Sequence, residues 1–218
     1  MQKYSSADLV AKLTLKYIVS VPDDYKPEEK LPMIVFLHGA GERGENLELV
    51  KVHGVLKHFE GGKCKLFPEL RTIVLAPQCP DGTMWQNQVP LVMELIDRVA
   101  KEYNADPDRI SITGLSMGGF GSYALATQYP DYFSALAMVC GGGPQWHSAS
   151  LTKMAVRLYH GVVDSLVPVE NSVSICHTLQ LFGGHPELIL YENYDHNSWD
   201  PAYESDLIKW LTEQKRQH

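Results

Sequence analysis

The chain has 218 residues, which suits one domain with a substantial core and leaves little room for two. Apolar residues make up 44% and charged residues 21%, a balance that excludes disordered, fibrous and membrane-spanning classes. The formal charge is 19 − 26 = −7 with no basic run, so nucleic acid and anionic membranes are excluded as expected partners.

Along the chain, short β-rich apolar runs alternate with amphipathic stretches. The first run, Leu13 to Val21, alternates as a strand and stops at Pro22. Continuous apolar runs follow at Met33–Leu37, Thr72–Ala76, Ile110–Thr113, Ala135–Cys140, Ala155–Tyr159 and Leu188–Tyr191, the pattern of strands covered on both faces. Helical spacing joins Val92, Leu95, Ile96, Val99 and Tyr103 behind Pro90, and after Gly119, Phe120 and Gly121 a helical stretch is expected to run to Tyr129. Val169, Val173, Cys176, Leu179 and Phe182 form another helical set, ended by Gly183-Gly184. Tyr203, Leu207, Trp210 and Leu211 predict one amphipathic C-terminal helix. Buried strands alternating with helices predict a mainly parallel sheet covered on both faces, in a single domain over residues 1–218. In such sheets chemistry gathers at the loops beyond the carboxyl ends of the strands.

One of those loops is Gly114-Leu115-Ser116-Met117-Gly118, a G-x-S-x-G motif between a predicted strand and a predicted helix. That context demands a tight, strained turn with the serine hydroxyl exposed at its tip. A serine hydroxyl is a weak nucleophile and needs a base, which in turn needs an acid to fix its tautomer. After Ser116 the histidines are 147, 160, 177, 185, 196 and 218, and His196 alone follows a strand onto the expected rim. Asp164 lies beyond the Ala155–Tyr159 strand, with a helix N-cap as its alternative role. Asp195 and Asp200 are rivals, weakened by being too near His196 in sequence to face it. His160 is expected to support the Asp164 turn. For the oxyanion of acyl transfer, the expected donors are the N–H groups of Met117 and Ala40, the latter in the loop Leu37-His38-Gly39-Ala40-Gly41. A phosphate-cradling loop is disfavoured there because G-x-x-x-x-G-K-[ST] is missing.

These stretches resemble the α/β-hydrolase superfamily, nearest in pattern to small serine esterases of the carboxylesterase/phospholipase, polyhydroxybutyrate-depolymerase-like and feruloyl-esterase-like groups, with their "predicted peptidase" members. The resemblance rests on MIVFLHGAGERGEN, VLAPQCPDG with Trp85 beyond, DRISITGLSMGGFGSYALA, LYHGVVDSLVPVENS and YENYDHNSWDPAY. It implies an α/β-hydrolase fold, with Ser116 as nucleophile, Asp164 as acid, His196 as base, and Ala40 with Met117 as oxyanion donors. It is indifferent to substrate, because one fold serves many acyl groups.

Larger relatives carry a cap domain where this chain has only the connection Gly141–Met154, so no cap is expected and the site should be open. Trp85, Trp146 and Trp199 fall in predicted rim loops and are candidates for stacking on aromatic or carbohydrate-linked esters, with loop anchoring as the alternative. Glu42-Arg43-Gly44-Glu45-Asn46 beside the oxyanion loop is expected to touch polar substrate groups or to form a local ion pair. The histidines and cysteines show no metal-binding spacing, so neither metal nor cofactor is expected. Cys140 and Cys176 read as core residues, and a bridge between Cys64 and Cys79 is left open. The N-terminal stretch MQKYSSADLV has no apolar signal core, which reads as cytoplasmic unless a leader has been removed. The expected activity is serine ester hydrolysis of short-chain, aryl or carbohydrate-linked esters. The alternatives are an oligopeptidase or amidase with the same triad, and a non-catalytic binder on a hydrolase scaffold. Oligomeric state is not legible.

Overall fold

The structure, a computed structural model, describes residues 14–217. The predicted strand start at Leu13, the N-terminal stretch and His218 lie outside them.

The strands are β1 (Lys16–Ser20), β2 (Met33–Leu37), the two-residue pair β3 (Phe59–Glu60) and β4 (Lys63–Cys64), β5 (Ile73–Gln78), β6 (Ile110–Leu115), β7 (Ala135–Val139), β8 (Ala155–Gly161) and β9 (Glu187–Tyr191). The helices are α1 (Val89–Glu102), α2 (Met117–Gln128), α3 (Glu170–Leu181), α4 (Trp199–Glu204) and α5 (Leu207–Glu213). Seven strands form one sheet in the order β1-β5-β2-β6-β7-β8-β9, while β3 and β4 make a separate hairpin. Only β1 in the large sheet runs antiparallel, pairing Ile18 with Ala76; the remaining strands are parallel.

The continuous apolar runs are explained by two cores, one on each face of the sheet. Met33, Val35 and Leu37 of β2 point to one face, where Val92 and Ile96 of α1, Leu125 of α2 and Leu179 of α3 pack. Ile34 and Phe36 point to the other, against Tyr203, Leu207 and Leu211 of α4 and α5 and Val50 and Val55 of the loop after β2. Because side chains alternate across a strand, both faces need apolar residues and the polar half of the usual alternation disappears. Phe36 meets Tyr203 edge to face at 5.9 Å, and the Tyr203 hydroxyl hydrogen-bonds Thr113 Oγ1 at 2.9 Å. Full burial of an aromatic ring such as Phe36 contributes about 1.5–3 kcal/mol.

Helix ends follow their local chemistry. Pro90 sits in the first turn of α1. Past α3, Gly183 adopts φ +88°, and the N–H groups of Gly183 and Gly184 return to the carbonyls of Gln180 and Leu179. The predicted single C-terminal helix is two helices, because Ser205 turns extended between them. Its hydroxyl bonds the Ala202 carbonyl at 2.6 Å and accepts the Leu207 N–H at 3.3 Å, ending α4 and starting α5. Serine's capacity to replace helical hydrogen bonds outweighs the amphipathic period here.

The connection between β7 and β8 is a single 3-10 segment, Gln145–Leu151, with no cap inserted. All four cysteines are buried free thiols, so Cys64 and Cys79 are not bridged. Among the described residues no helix is long and apolar enough to cross a membrane.

Candidate active site

The site is built where the central strand β6 turns into α2. Ser116 occupies that turn at φ 52°, ψ −121°, a left-handed conformation disfavoured for any residue with a Cβ. Such a residue stores of order 1–3 kcal/mol of strain, which the surroundings must hold in place. Its N–H donates to the Val139 carbonyl of β7, and its own carbonyl accepts from Phe120 in α2. The flanking glycines are required by close backbone approach. A Cβ on Gly114 would lie 2.2 Å from the Gly118 carbonyl oxygen, and one on Gly118 would lie 1.9 Å from that of Leu37. The start of α2 is thereby pressed onto the end of β2.

His196 and Asp164 arrive from loops beyond β9 and β8. His196 Nε2 is 2.8 Å from Ser116 Oγ, and His196 Nδ1 is 2.8 Å from Asp164 Oδ2. A carboxylate can only accept, so Nδ1 carries the proton and Nε2 offers its lone pair to the serine hydroxyl. The Asp164 side chain is fully buried, with Oδ1 accepting the N–H groups of Leu166 and Val167 at 3.0 and 2.9 Å. Asp164 therefore caps no helix, since α3 starts only at Glu170; its Oδ1 holds the turn after β8 while Oδ2 meets His196. His160 is also wholly buried. Its Nε2–H donates to the Val167 carbonyl at 2.9 Å, its Nδ1 accepts from the Ser172 hydroxyl at 2.7 Å, and burial pushes its pKa down. It braces the Asp164 turn as a neutral ring, with Nε2 3.4 Å from Asp164 Oδ2.

The rival acids have other partners. Asp200 pairs with Lys57 at 3.2 Å. Asp195 Oδ1 accepts the N–H of Ser165 at 2.6 Å and of His196 at 2.8 Å, and the Ser165 hydroxyl at 2.9 Å. Those hydrogen bonds hold its carboxyl below the usual range. It ties the loop after β8 to the loop after β9. Its place beside His196 made it visible in the sequence as a rival acid, but nothing there pointed to Ser165 thirty positions away.

The loop after β2 passes directly beside the serine. A Cβ on Gly39 would stand 3.7 Å from Ser116 Cβ and 2.9 Å from Leu115 Cδ1. His38 beneath it is buried, with Nδ1–H donating to the Gly39 carbonyl at 2.6 Å and Nε2 accepting the Cys79 N–H at 3.0 Å. Because C=O and N–H oppose one another across a trans peptide, this grip on the Gly39 carbonyl directs the Ala40 N–H away from the His38 ring. Met117 is the first residue of α2, so its N–H has no intrahelical acceptor. Ala40 begins the short 3-10 turn Ala40–Glu42.

Burial lowers the His38 pKa to about 4, with the nearby Arg43 charge adding to the effect. A depressed histidine favours folding while it stays neutral. That contribution is complete above its unfolded value of 6.5 and is lost as pH falls toward 4. We expect chemical-denaturation midpoints to fall from pH 7 to pH 4, and His38→Gln to remove roughly 3 kcal/mol of that pH-dependent loss. An unchanged pH slope in His38→Gln would contradict this.

The tryptophans separate into three situations. Trp85 is not on the rim: it is completely buried, donates Nε1–H to the His38 carbonyl at 2.9 Å, and stacks edge-on against the His38 ring at 5.0 Å. A Cβ on Gly121 would meet it at 2.4 Å, so α2 covers it from above. It props the loop after β2 from within the core and has no surface for substrate. Trp146 is 65% exposed. Trp199 is partly buried, edge-on to His196 at 5.3 Å and 5.4 Å from the His53 ring. In the Glu42–Asn46 stretch, Arg43 donates to the carbonyls of Ala40 and Thr83, Glu45 pairs with Lys16, and the buried Glu42 Oε2 finds no hydrogen-bond partner.

A parallel sheet covered on both faces, with a strained serine at a strand-to-helix turn and an imidazole and carboxylate converging on it, defines an α/β-hydrolase. Comparison with known proteins finds the chain similar to esterases of that fold. A family model described as "Putative esterase" matches residues 71–178. Probable feruloyl esterase C of Aspergillus flavus is 27% identical over 164 residues, 73% of this chain and 58% of that protein. Poly(3-hydroxyalkanoate) depolymerase C of Paucimonas lemoignei is 32% identical over 82 residues, 38% of this chain and 20% of that protein. The crystal structure of a thermostable esterase superposes with a TM-score of 0.78 at 33% identity, covering 93% of this chain and 60% of that one. This chain therefore spans at most about three-fifths of these relatives. Among the described residues no group of three or more His, Cys, Asp or Glu is placed to hold a metal ion.

Proposed function

We propose that the chain is a serine hydrolase that cleaves carboxylic esters through an acyl-enzyme on Ser116, the whole chain acting as one domain. The carrying observation is the unbroken relay from Ser116 Oγ through His196 to Asp164, with both contacts at 2.8 Å. His196 Nε2 takes the hydroxyl proton as Oγ attacks the ester carbonyl carbon. The tetrahedral oxyanion is received by the N–H groups of Ala40 and Met117, each such donor being worth about 2.7–4 kcal/mol. The C–O bond to the leaving alcohol breaks as the imidazolium returns the proton to it. Water then repeats the sequence on the acyl-enzyme, releasing the acid and restoring Ser116. Asp164 stabilises the transient imidazolium and keeps Nδ1 protonated.

The names of the relatives, feruloyl and acetylxylan esterases, favour small aryl or carbohydrate-linked esters. An open site without a cap suits them, and Trp146 and Trp199 are the two tryptophans left near enough to solvent to meet such groups. Labelling with a fluorophosphonate probe, and hydrolysis of p-nitrophenyl acetate set against the matched anilide, test the reading. We expect labelling at Ser116 and a strong preference for the ester. Absence of both labelling and turnover would favour a non-catalytic binder, and comparable anilide cleavage would favour an amidase.

A further inference from the structure

The loops after β8 and β9 cross beside the triad through a carboxylate that the proposed mechanism leaves unused. Ser165 follows Asp164 directly, and Asp195 directly precedes His196. The Asp195 side chain spans the crossing. Its Oδ1 accepts the N–H groups of Ser165 at 2.6 Å and His196 at 2.8 Å, and the Ser165 hydroxyl lies 2.9 Å from Oδ1 and 3.0 Å from Oδ2. On the other side of Asp164, the Val163 N–H donates to the Tyr194 carbonyl at 3.3 Å. Asp164 is thus tied, by the residue before it and the residue after it, to the two residues that lead into His196.

Capping alone does not account for this arrangement. Asp195 caps the short turn His196–Ser198 by accepting the His196 N–H, which takes one oxygen and one donor. The two Ser165 donors come from 30 positions away and add nothing to that turn. The backbones are also in close approach there. A Cβ on Gly161, at the end of β8, would lie 2.2 Å from the Tyr194 carbonyl oxygen and 2.4 Å from that of Asp195.

Exposure decides what this latch can do. Asp195 and Ser165 both face solvent, so water can replace each bond lost and truncation should cost little stability. Water cannot fix the separation of two loops, and a misplacement of about 1 Å at a reacting group can cost about 10²-fold in rate. Resting on the serine-esterase reading above, we infer that Asp195 is a positioning residue, which holds the His196 ring between Asp164 and Ser116 by latching the two loops through Ser165. It touches no reacting atom. Its loss should fall hardest on substrates that need His196 twice. Ethoxide leaves only as ethanol, with the proton delivered from His196 Nε2, whereas p-nitrophenolate leaves as a stable anion.

The test compares ethyl acetate with p-nitrophenyl acetate in the wild-type chain and in Asp195→Ala, Asp195→Asn and Ser165→Ala, with thermal melting reporting whether each variant is folded. We expect Asp195→Ala to lower kcat about tenfold or more on both esters with KM changed less than about threefold, and to lower the ethyl to p-nitrophenyl ratio of kcat/KM by about threefold or more. Asp195→Asn keeps Oδ1 as an acceptor and can turn an amide N–H onto the Ser165 oxygen, so it should recover most of both losses. Ser165→Ala keeps its N–H and should show the same pattern more weakly. A merely structural role would lower both substrates together and leave the ratio alone. An unchanged kcat or an unchanged ratio in folded Asp195→Ala overturns the positioning role while leaving ester hydrolysis intact. Asp195→Asn no better than Asp195→Ala overturns it too, since charge and not placement would then be at work. If Asp195→Ala fails to fold, the ratio in Ser165→Ala carries the same decision. A wild-type chain inactive on both esters overturns the serine-esterase reading itself, and the positioning role with it.

Discussion

Ser116→Ala should lower kcat for ester hydrolysis by about 10⁴- to 10⁶-fold while leaving the melting temperature within a few degrees of wild type. The hydroxyl is the only atom lost, and its one side-chain partner is His196 Nε2. Residual turnover would come from the N–H donors and substrate positioning that remain. Stability should hardly move, because alanine keeps the same strained φ of 52°. Ser116→Gly provides the complementary measurement: it removes the nucleophile and the Cβ together, so it should match alanine in activity yet gain stability, offset in part by glycine's extra freedom in the unfolded chain. Denaturant unfolding beside steady-state kinetics on the two variants separates strain from chemistry. Turnover by Ser116→Ala near the wild-type rate would end the assignment of Ser116 as nucleophile.

Gly118→Ala should be far more damaging to the fold than a one-methyl change inside a helix normally is. Helix propensity alone favours alanine by about 1 kcal/mol. Against this, the new Cβ would stand 1.9 Å from the Leu37 carbonyl oxygen, 2.5 Å from its carbon and 2.6 Å from the His38 carbonyl oxygen. All three are backbone atoms of the end of β2 and the loop after it, so no side-chain rotation relieves the clash. Either α2 lifts from β2 or the end of β2 moves. We expect a loss of about 3 kcal/mol or more in denaturant unfolding, together with loss of ester turnover, because the same shift separates Ala40 from Ser116. Gly41→Ala is the control, since nothing lies within 4 Å of its added Cβ and it should be nearly silent in stability. Equal stability of the two variants would show that the α2–β2 contact is looser than described.

The strands of the large sheet were legible to within a few residues because burial on both faces makes β2, β5, β6, β7 and β8 mainly apolar, and the run itself marks the element, whereas the two-residue β3 and β4 leave no such run. The split of the C-terminal helix was not legible, since Ser205 looks like any exposed helical polar residue until its hydroxyl is seen replacing two backbone partners. Trp85 shows the same limit in the site. Its position in a loop predicted a rim residue, yet that loop folds inward and α2 lies over it. Burial of a loop tryptophan depends on what another element does, and no local pattern reports that. The triad members could be proposed from chain order and from lying just past strand ends, because a parallel sheet collects those ends along one edge.

Unaided, the order of residues along the chain determined the class of architecture and which few polar side chains stand at the carboxyl edge of the sheet. Those follow from periodicity and from glycine and proline, which act within a few residues. Only the tertiary structure decided which of those side chains meet: Asp164 with His196 across 32 positions, Asp195 with Ser165 across 30, and His38 with Cys79 across 41. The reason is that a hydrogen bond is settled within about 3 Å, a tolerance set by how helices pack on the sheet and not by any spacing along the chain.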